Sequence, residues 1–143
     1  DGRLKWVVDI KKLTVNEGLN HVLNTVLMAG TQITAWYVGL KGTGTVAGGD
    51  TLPSHAGWSE LTPYTGNRPQ WQGGTVANQS VDNSANKAVF SINATATVAG
   101  IMLCSAASGT TGTLLGAGDF SASRAVVSGD TLNVTVTCSA AAA

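Results

Sequence analysis

Residues Thr14–Leu40 read TVNEGLNHVLNTVLMAGTQITAWYVGL, and this stretch decides the fold because it declares both a helix and the strand that follows it. Thr14, with Glu17 three residues later, fits a capping box, in which hydroxyl and carboxylate each satisfy an orphan backbone N–H at a helix start. Leu19, Val22, Leu23, Val26 and Leu27 then recur at helical spacing as one apolar stripe, and Gly30 is the natural stop. A helix of this length, about 14–29, is marginal alone in water, so its stripe is expected to dock on the rest of the domain. Burying an aliphatic side chain is worth about 1.5–3 kcal/mol, so five together rival the roughly 5–15 kcal/mol net stability of a domain. Loss of Leu23 is therefore expected to threaten the fold. Ile33–Leu40 reads as a strand from its β-branched and aromatic content. Neighbouring strand residues face opposite sides, so Trp36 and Tyr37 cannot both enter one core.

Before this stretch, residues 1–12 carry six of the sixteen charges, and Leu4, Trp6, Val8 and Ile10 fall on one side of a period-2 pattern. They read as a first strand or an arm that covers a surface of its own domain or of another subunit. After it, Lys41–Ser54 reads as a long loop, His55–Tyr64 as a short extended segment, Asn67–Trp71 as a turn before an edge element, and Gly74–Asn86 as a second long loop. Strands are expected at Lys87–Asn93, Thr95–Cys104, Thr113–Gly116, Ala122–Val127 and Leu132–Cys138, with Ser105–Gly112 as a loop of small residues. GDTL occurs at Gly49–Leu52 and again at Gly129–Leu132, a Gly-Asp turn entering a Thr-rich piece rather than a duplication. The expected architecture is α+β and mainly β: an antiparallel sandwich or barrel-like domain over 13–138 with one helix packed on it, and a flexible tail over 139–143.

At 143 residues the chain suits one domain, and a domain of about this size buries roughly 68–70% of its unfolded surface. Eight basic and eight acidic residues, 11% of the chain, leave no net field to draw in nucleic acid or an anionic membrane. Such a neutral exterior gives little electrostatic protection against self-association, which suits a protein packed against neighbours. No apolar run reaches the roughly 18 residues of a membrane span, and no charged leader precedes an apolar core, so neither a membrane nor classical secretion is expected. Cys104 and Cys138 lie in apolar strand contexts without a C-x-x-C pattern, and read as buried free thiols before a cross-strand disulfide. His21 and His55 are the available imidazoles; no nucleophile elbow, H-E-x-x-H or EF-hand loop accompanies them. Gly42, Gly44 and Ala47 loosely match a dinucleotide fingerprint, but Gly48, Gly49 and Pro53 stand where its helix should begin. Asp50, His55 and Glu60 follow no ligand spacing and read as solvated loop residues. No catalytic, cofactor or metal site is expected.

Trp58, Tyr64, Arg68 and Trp71 place two of the four tryptophans and an arginine within fourteen residues. Trp, Tyr and Arg dominate protein contact hot spots because they bury a large area and keep a polar handle. Their faces also stack on sugar rings, and the same aromatics can simply plug one end of a β core. Together with Trp6 they are the candidate protein-contact residues.

Taken together, VNEGLNHVL at Val15–Leu23, GTQITAWYVGL at Gly30–Leu40, SHAGWSE at Ser54–Glu60, RPQW at Arg68–Trp71 and GDTLNVT at Gly129–Thr135 resemble small virion structural proteins of tailed bacteriophages. Some members of that group decorate or cement the head. The resemblance implies a non-enzymatic protein of the virion, on the capsid surface and assembled in the host cytoplasm. Its implied partners are the major capsid protein and copies of itself as a dimer or trimer, with no nucleic acid, membrane or cofactor. A neck or tail position, or a glycan- or receptor-binding fibre domain, is the alternative.

Overall fold

A computed structural model of the chain describes residues 13–140. The expectations placed on residues 1–12, Trp6 among them, and on residues 141–143 of the tail lie outside the described residues; within the tail expected over 139–143, Ser139 is a strand residue opposite Ser80 and the Ala140 N–H donates to the Gln79 carbonyl at 2.9 Å.

Among the described residues, ten strands and one helix follow in the order β1 Leu13–Thr14, α1 Asn16–Leu27, β2 Trp36–Gly44, β3 Trp58–Leu61, β4 Gln70–Trp71, β5 Ser80–Asp82, β6 Ala88–Ser91, β7 Ala96–Cys104, β8 Leu114–Val126, β9 Thr131–Val134 and β10 Thr137–Ser139. The main sheet is antiparallel in the order β1-β8-β7-β2-β3, with β4 on the same edge of β2 as β3. Two antiparallel ribbons, β6–β9 and β5–β10, complete the structure. The result is the mainly β, sandwich-like arrangement with one helix that the strand pattern implied.

The central strands explain why the sheet is covered on both faces. In β7 the run Val-Ala-Gly-Ile-Met-Leu-Cys is buried throughout, as a strand enclosed on two sides requires. Ile101 and Leu103 point to one face with Val38 and Leu40 of β2, where they meet Phe90, Leu132 and Val134 of the β6–β9 ribbon. Met102 and Cys104 point to the other, where Val15, Leu52, Trp58, Leu114 and Ala117 form a smaller core.

Four expected boundaries moved, each for a tertiary reason. β2 starts at Trp36 and continues through Gly44, into the stretch read as a loop, because Lys41 pairs with Glu60 of β3 and Gly44 with Trp58. A register shift separates those two pairs. At Gly44 φ is +119° and a Cβ would overlap the Gly57 carbonyl oxygen, so the strand can end this way only with glycine. Lys41 is fully buried, and its ammonium holds the irregularity by donating to the Gly42 and Gly44 carbonyls at 3.0 and 2.7 Å and to Asp119 at 2.7 Å. The two strands expected around Gly116 and Ala122 are one strand, β8. It keeps its pairing with β7 across an irregularity: Val98 faces Arg124 and Gly100 faces Asp119, so four residues of β8 lie opposite Ala99 alone.

The second long loop contains β5, and the expected last strand is cut in two. Asn83 makes that cut, accepting the Val136 N–H at 2.6 Å and donating to the Val134 carbonyl at 3.2 Å, so that β9 and β10 pair with different partners. The two GDTL turns close alike. Asp50 accepts the Ala47 N–H and Asp130 the Val127 N–H, both at 2.9 Å, and each sends the following leucine into a core. Both cysteines are free, Cys104 buried and Cys138 half-buried against the main core.

Candidate interaction surface

The aromatic and arginine residues expected at a contact are mostly inside. Trp58 is buried in the smaller core, with its indole N–H donating to Asp50 at 2.9 Å and its ring stacked on His55 at 4.0 Å. Trp71 packs on the main core across the sheet and donates to the Val136 carbonyl at 3.1 Å. Tyr64 is buried edge-on to Phe90. Of the alternatives, core packing is therefore the role these side chains take within the chain. A large ring with one polar atom needs both a dry wall and a hydrogen-bond partner, and the sheet interior supplies both.

Only Tyr64 and Arg68 come together, beside a shallow pocket of about 170 Å³ lined also by Glu60, Asn67 and Gly109. Arg68 is 5% exposed. Its guanidinium forms a two-pronged pair with Glu60, both contacts at 2.7 Å, and donates to the Ala106 and Gly109 carbonyls at the same distance. It is thereby a clamp that holds the 105–112 loop to β3, with four of its five N–H donors engaged internally. Asp50, His55 and Glu60, read as solvated loop residues, are instead engaged: Asp50 is buried and accepts the Trp58 indole N–H, His55 has Nδ1 3.1 Å from the Trp58 carbonyl oxygen, and Glu60, a residue of β3, pairs with Arg68.

Burial first, and the Glu60 carboxylate second, push the Tyr64 hydroxyl up to about 12 from its ordinary 10.0. Burial also pushes the Cys104 thiol up. Both groups hold their protons more tightly in the folded chain, so their contribution is complete below the unfolded values and is lost as the pH rises through the folded ones. Stability measured by urea denaturation is expected to decline above about pH 9 and to keep falling through pH 10–12, with Tyr64→Phe flattening the upper part. An unchanged profile in that variant would show that Tyr64 does not titrate differently on folding.

The surface that stands out lies on α1, where the sequence reading is overturned. Val15, not Thr14, is the N-cap, and among the described residues no side chain caps the helix. Thr14 is occupied as a strand residue opposite Gly116, and Glu17 accepts the Leu114 N–H at 3.2 Å. The helix start is instead secured by the Gly48 carbonyl, which accepts the Asn16 N–H at 2.7 Å. At the far end Ala29, at φ 55°, makes the left-handed turn assigned to Gly30.

More consequential is which side of α1 meets the sheet. Gly18 is the one buried residue of the helix, and His21 and Thr25 on the same side are half-buried. Glycine at 18 lets the helix backbone approach β8 so closely that a Cβ there would overlap the Leu115 carbonyl oxygen. His21 Nε2 accepts the Ile33 N–H at 3.4 Å, and the ring meets Trp36 edge-on, tying the segment after the helix back to it. The apolar stripe consequently faces outward: Leu19, Val22, Leu23, Val26, Leu27 and Met28 are 45–74% exposed. Beside it runs a groove of about 210 Å³ lined by Val22, Val26, Ile33, Trp36 and Leu115 among others. Amphipathic periodicity located this stripe correctly but placed it in the wrong surroundings. Leu23 is therefore no pillar of the fold. A glycine on the opposite side of the helix was the one local sign of a different docking face.

No protein-family model matches the chain, and no curated protein matches it.

Proposed function

We propose that this chain is a virion structural subunit of the head-decoration type, which binds an assembled phage capsid and stabilises it by bridging subunits. The observation that carries the reading is the outward apolar stripe of α1. A contiguous exposed apolar patch of this kind marks a protein–protein contact more often than a solvated surface. Low charge over the whole chain and the resemblance to tailed-phage virion proteins support the same reading. The burial of Trp58 and Tyr64 withdraws two of the aromatics weighed for sugar stacking, and four of the five Arg68 donors are engaged within the chain, which favours the decoration reading over a glycan-binding fibre domain.

In this role no reaction is required. A protein that binds only the assembled lattice stabilises it by mass action, by about 2.7 kcal/mol for a site occupied at one hundred times its dissociation constant. Repeated over many sites, a modest contact suffices. Purified chain is expected to co-sediment with expanded heads lacking it and to raise the temperature at which they release DNA, and Leu27→Asn should weaken both effects at least tenfold, whether α1 meets the capsid itself or joins two copies that bind it bivalently. Localisation of the chain to neck, tail or fibre in an image of the virion would overturn the assignment to the head.

A further inference from the structure

We infer that the outward face of α1 is a self-association surface, on which two copies of this chain pack α1 antiparallel to α1 across a two-fold axis. The inference rests on the reading above in taking the exposed stripe as a contact, and it adds the occupant. Leu19, Leu23 and Leu27 follow one another at i, i+4 and i+8, with Val22 and Val26 beside them. In an antiparallel pair centred on Leu23, Leu19 of one copy meets Leu27 of the other, and each Leu23 meets its own equivalent. An isologous contact of this kind requires a surface that complements itself.

The chemistry of the face meets that requirement in two ways. Glu17 is the only acidic residue of α1, no Lys or Arg occurs in it, and the Glu17 carboxylate is turned to the Leu114 N–H. The outward face thus has no fixed charge to repel a second copy and none to select a partner of opposite sign. Along one flank Asn16, Asn20 and Asn24 form an exposed row at four-residue spacing. An amide both donates and accepts, so an Asn row can pair with its own symmetry mate where Lys or Glu would need an opposite charge. The groove beside Trp36 offers room for an apolar side chain of the second copy.

The area is of the right order. The six side chains present roughly 600 Å², near the upper range for a monomer's largest patch and somewhat below the ~800 Å² per partner of a standard interface. The groove wall and the segment Gln32–Trp36 supply the rest. A reversible dimer with a dissociation constant on the order of micromolar is the expected outcome.

Sedimentation of the full chain over a concentration series tests this. A monomer–dimer equilibrium is expected, and Leu23→Asn should weaken it at least tenfold while leaving the circular dichroism and thermal midpoint of the monomer in place. Independently of that variant's behaviour, Leu23→Cys in a Cys138→Ser background should form a covalent dimer on mild oxidation. A chain that stays monomeric, or a dimer indifferent to Leu23→Asn that yields no Leu23→Cys cross-link, overturns the inference. A monomer whose binding to expanded heads is still abolished by Leu23→Asn assigns the face to the capsid, so that the inference fails and the proposed function stands. With a Leu23-dependent dimer that never binds heads, the inference stands and the proposed function fails.

Discussion

Arg68→Ala is expected to lower the stability of the domain by roughly 3–5 kcal/mol, the range for breaking one side of a buried ion pair. The change strands Glu60, whose side chain is 16% exposed, without its two-pronged partner at 2.7 Å. It also leaves the Ala106 and Gly109 carbonyls without the donors that pin the 105–112 loop. Urea denaturation should show the midpoint falling with little change in slope, and hydrogen exchange should show the loop losing protection first. Arg68→Lys restores the charge but not the planar fork, so it should recover only part of the loss. Adding Glu60→Ala to Arg68→Ala should cost much less than the sum of the single changes, because the stranded carboxylate is then gone. A loss below about 1 kcal/mol for Arg68→Ala would mean that the clamp is a surface pair of the ordinary weak kind.

Gly18→Ala is expected to undock α1, although alanine is the better helix former. The intrinsic gain from replacing helical glycine is at most about 1 kcal/mol. Against it stands a methyl group driven into the Leu115 carbonyl oxygen and Cα, atoms of a sheet strand that cannot swing aside as a flexible side chain would. Overpacking of this kind costs typically 1–3 kcal/mol, and a backbone obstacle places the site at the upper end. The penalty should fall on one region, since Val15 is fully buried just before the helix and closes the smaller core. Amide exchange along Asn16–Leu27 should rise sharply while the β2–β7–β8 core stays protected. Association through the helix face should weaken as well, because the stripe is presented by this docking. Unaltered exchange in α1 would show that the helix can shift outward without loss.

These two sites mark the limit of what periodicity can reveal. Apolar alternation and turn residues located β6, β7 and the 105–112 loop, because strand content and Gly-rich breaks are local properties. The capping box failed because Thr14 and Glu17 found partners across the sheet, at Gly116 and Leu114, that no short-range pattern encodes. The split between β9 and β10 came from Asn83, some fifty residues away in sequence from the carbonyl it meets. The Trp58–Trp71 cluster is conspicuous by composition, yet Trp58 and Trp71 enter cores on opposite faces of one sheet, so proximity along the chain did not become a common surface.

For Thr14–Leu40, the amino-acid sequence alone determined that a helix with one apolar stripe precedes a β-branched and aromatic strand, because both follow from side-chain spacing along a regular backbone. Only the tertiary structure decided which side of the helix is buried. Gly18 permits an approach of backbone to backbone that no larger residue allows, and that contact turns the five aliphatic side chains of the stripe toward solvent. Periodicity specifies that a face is apolar; what covers it depends on which side can come closest to the sheet.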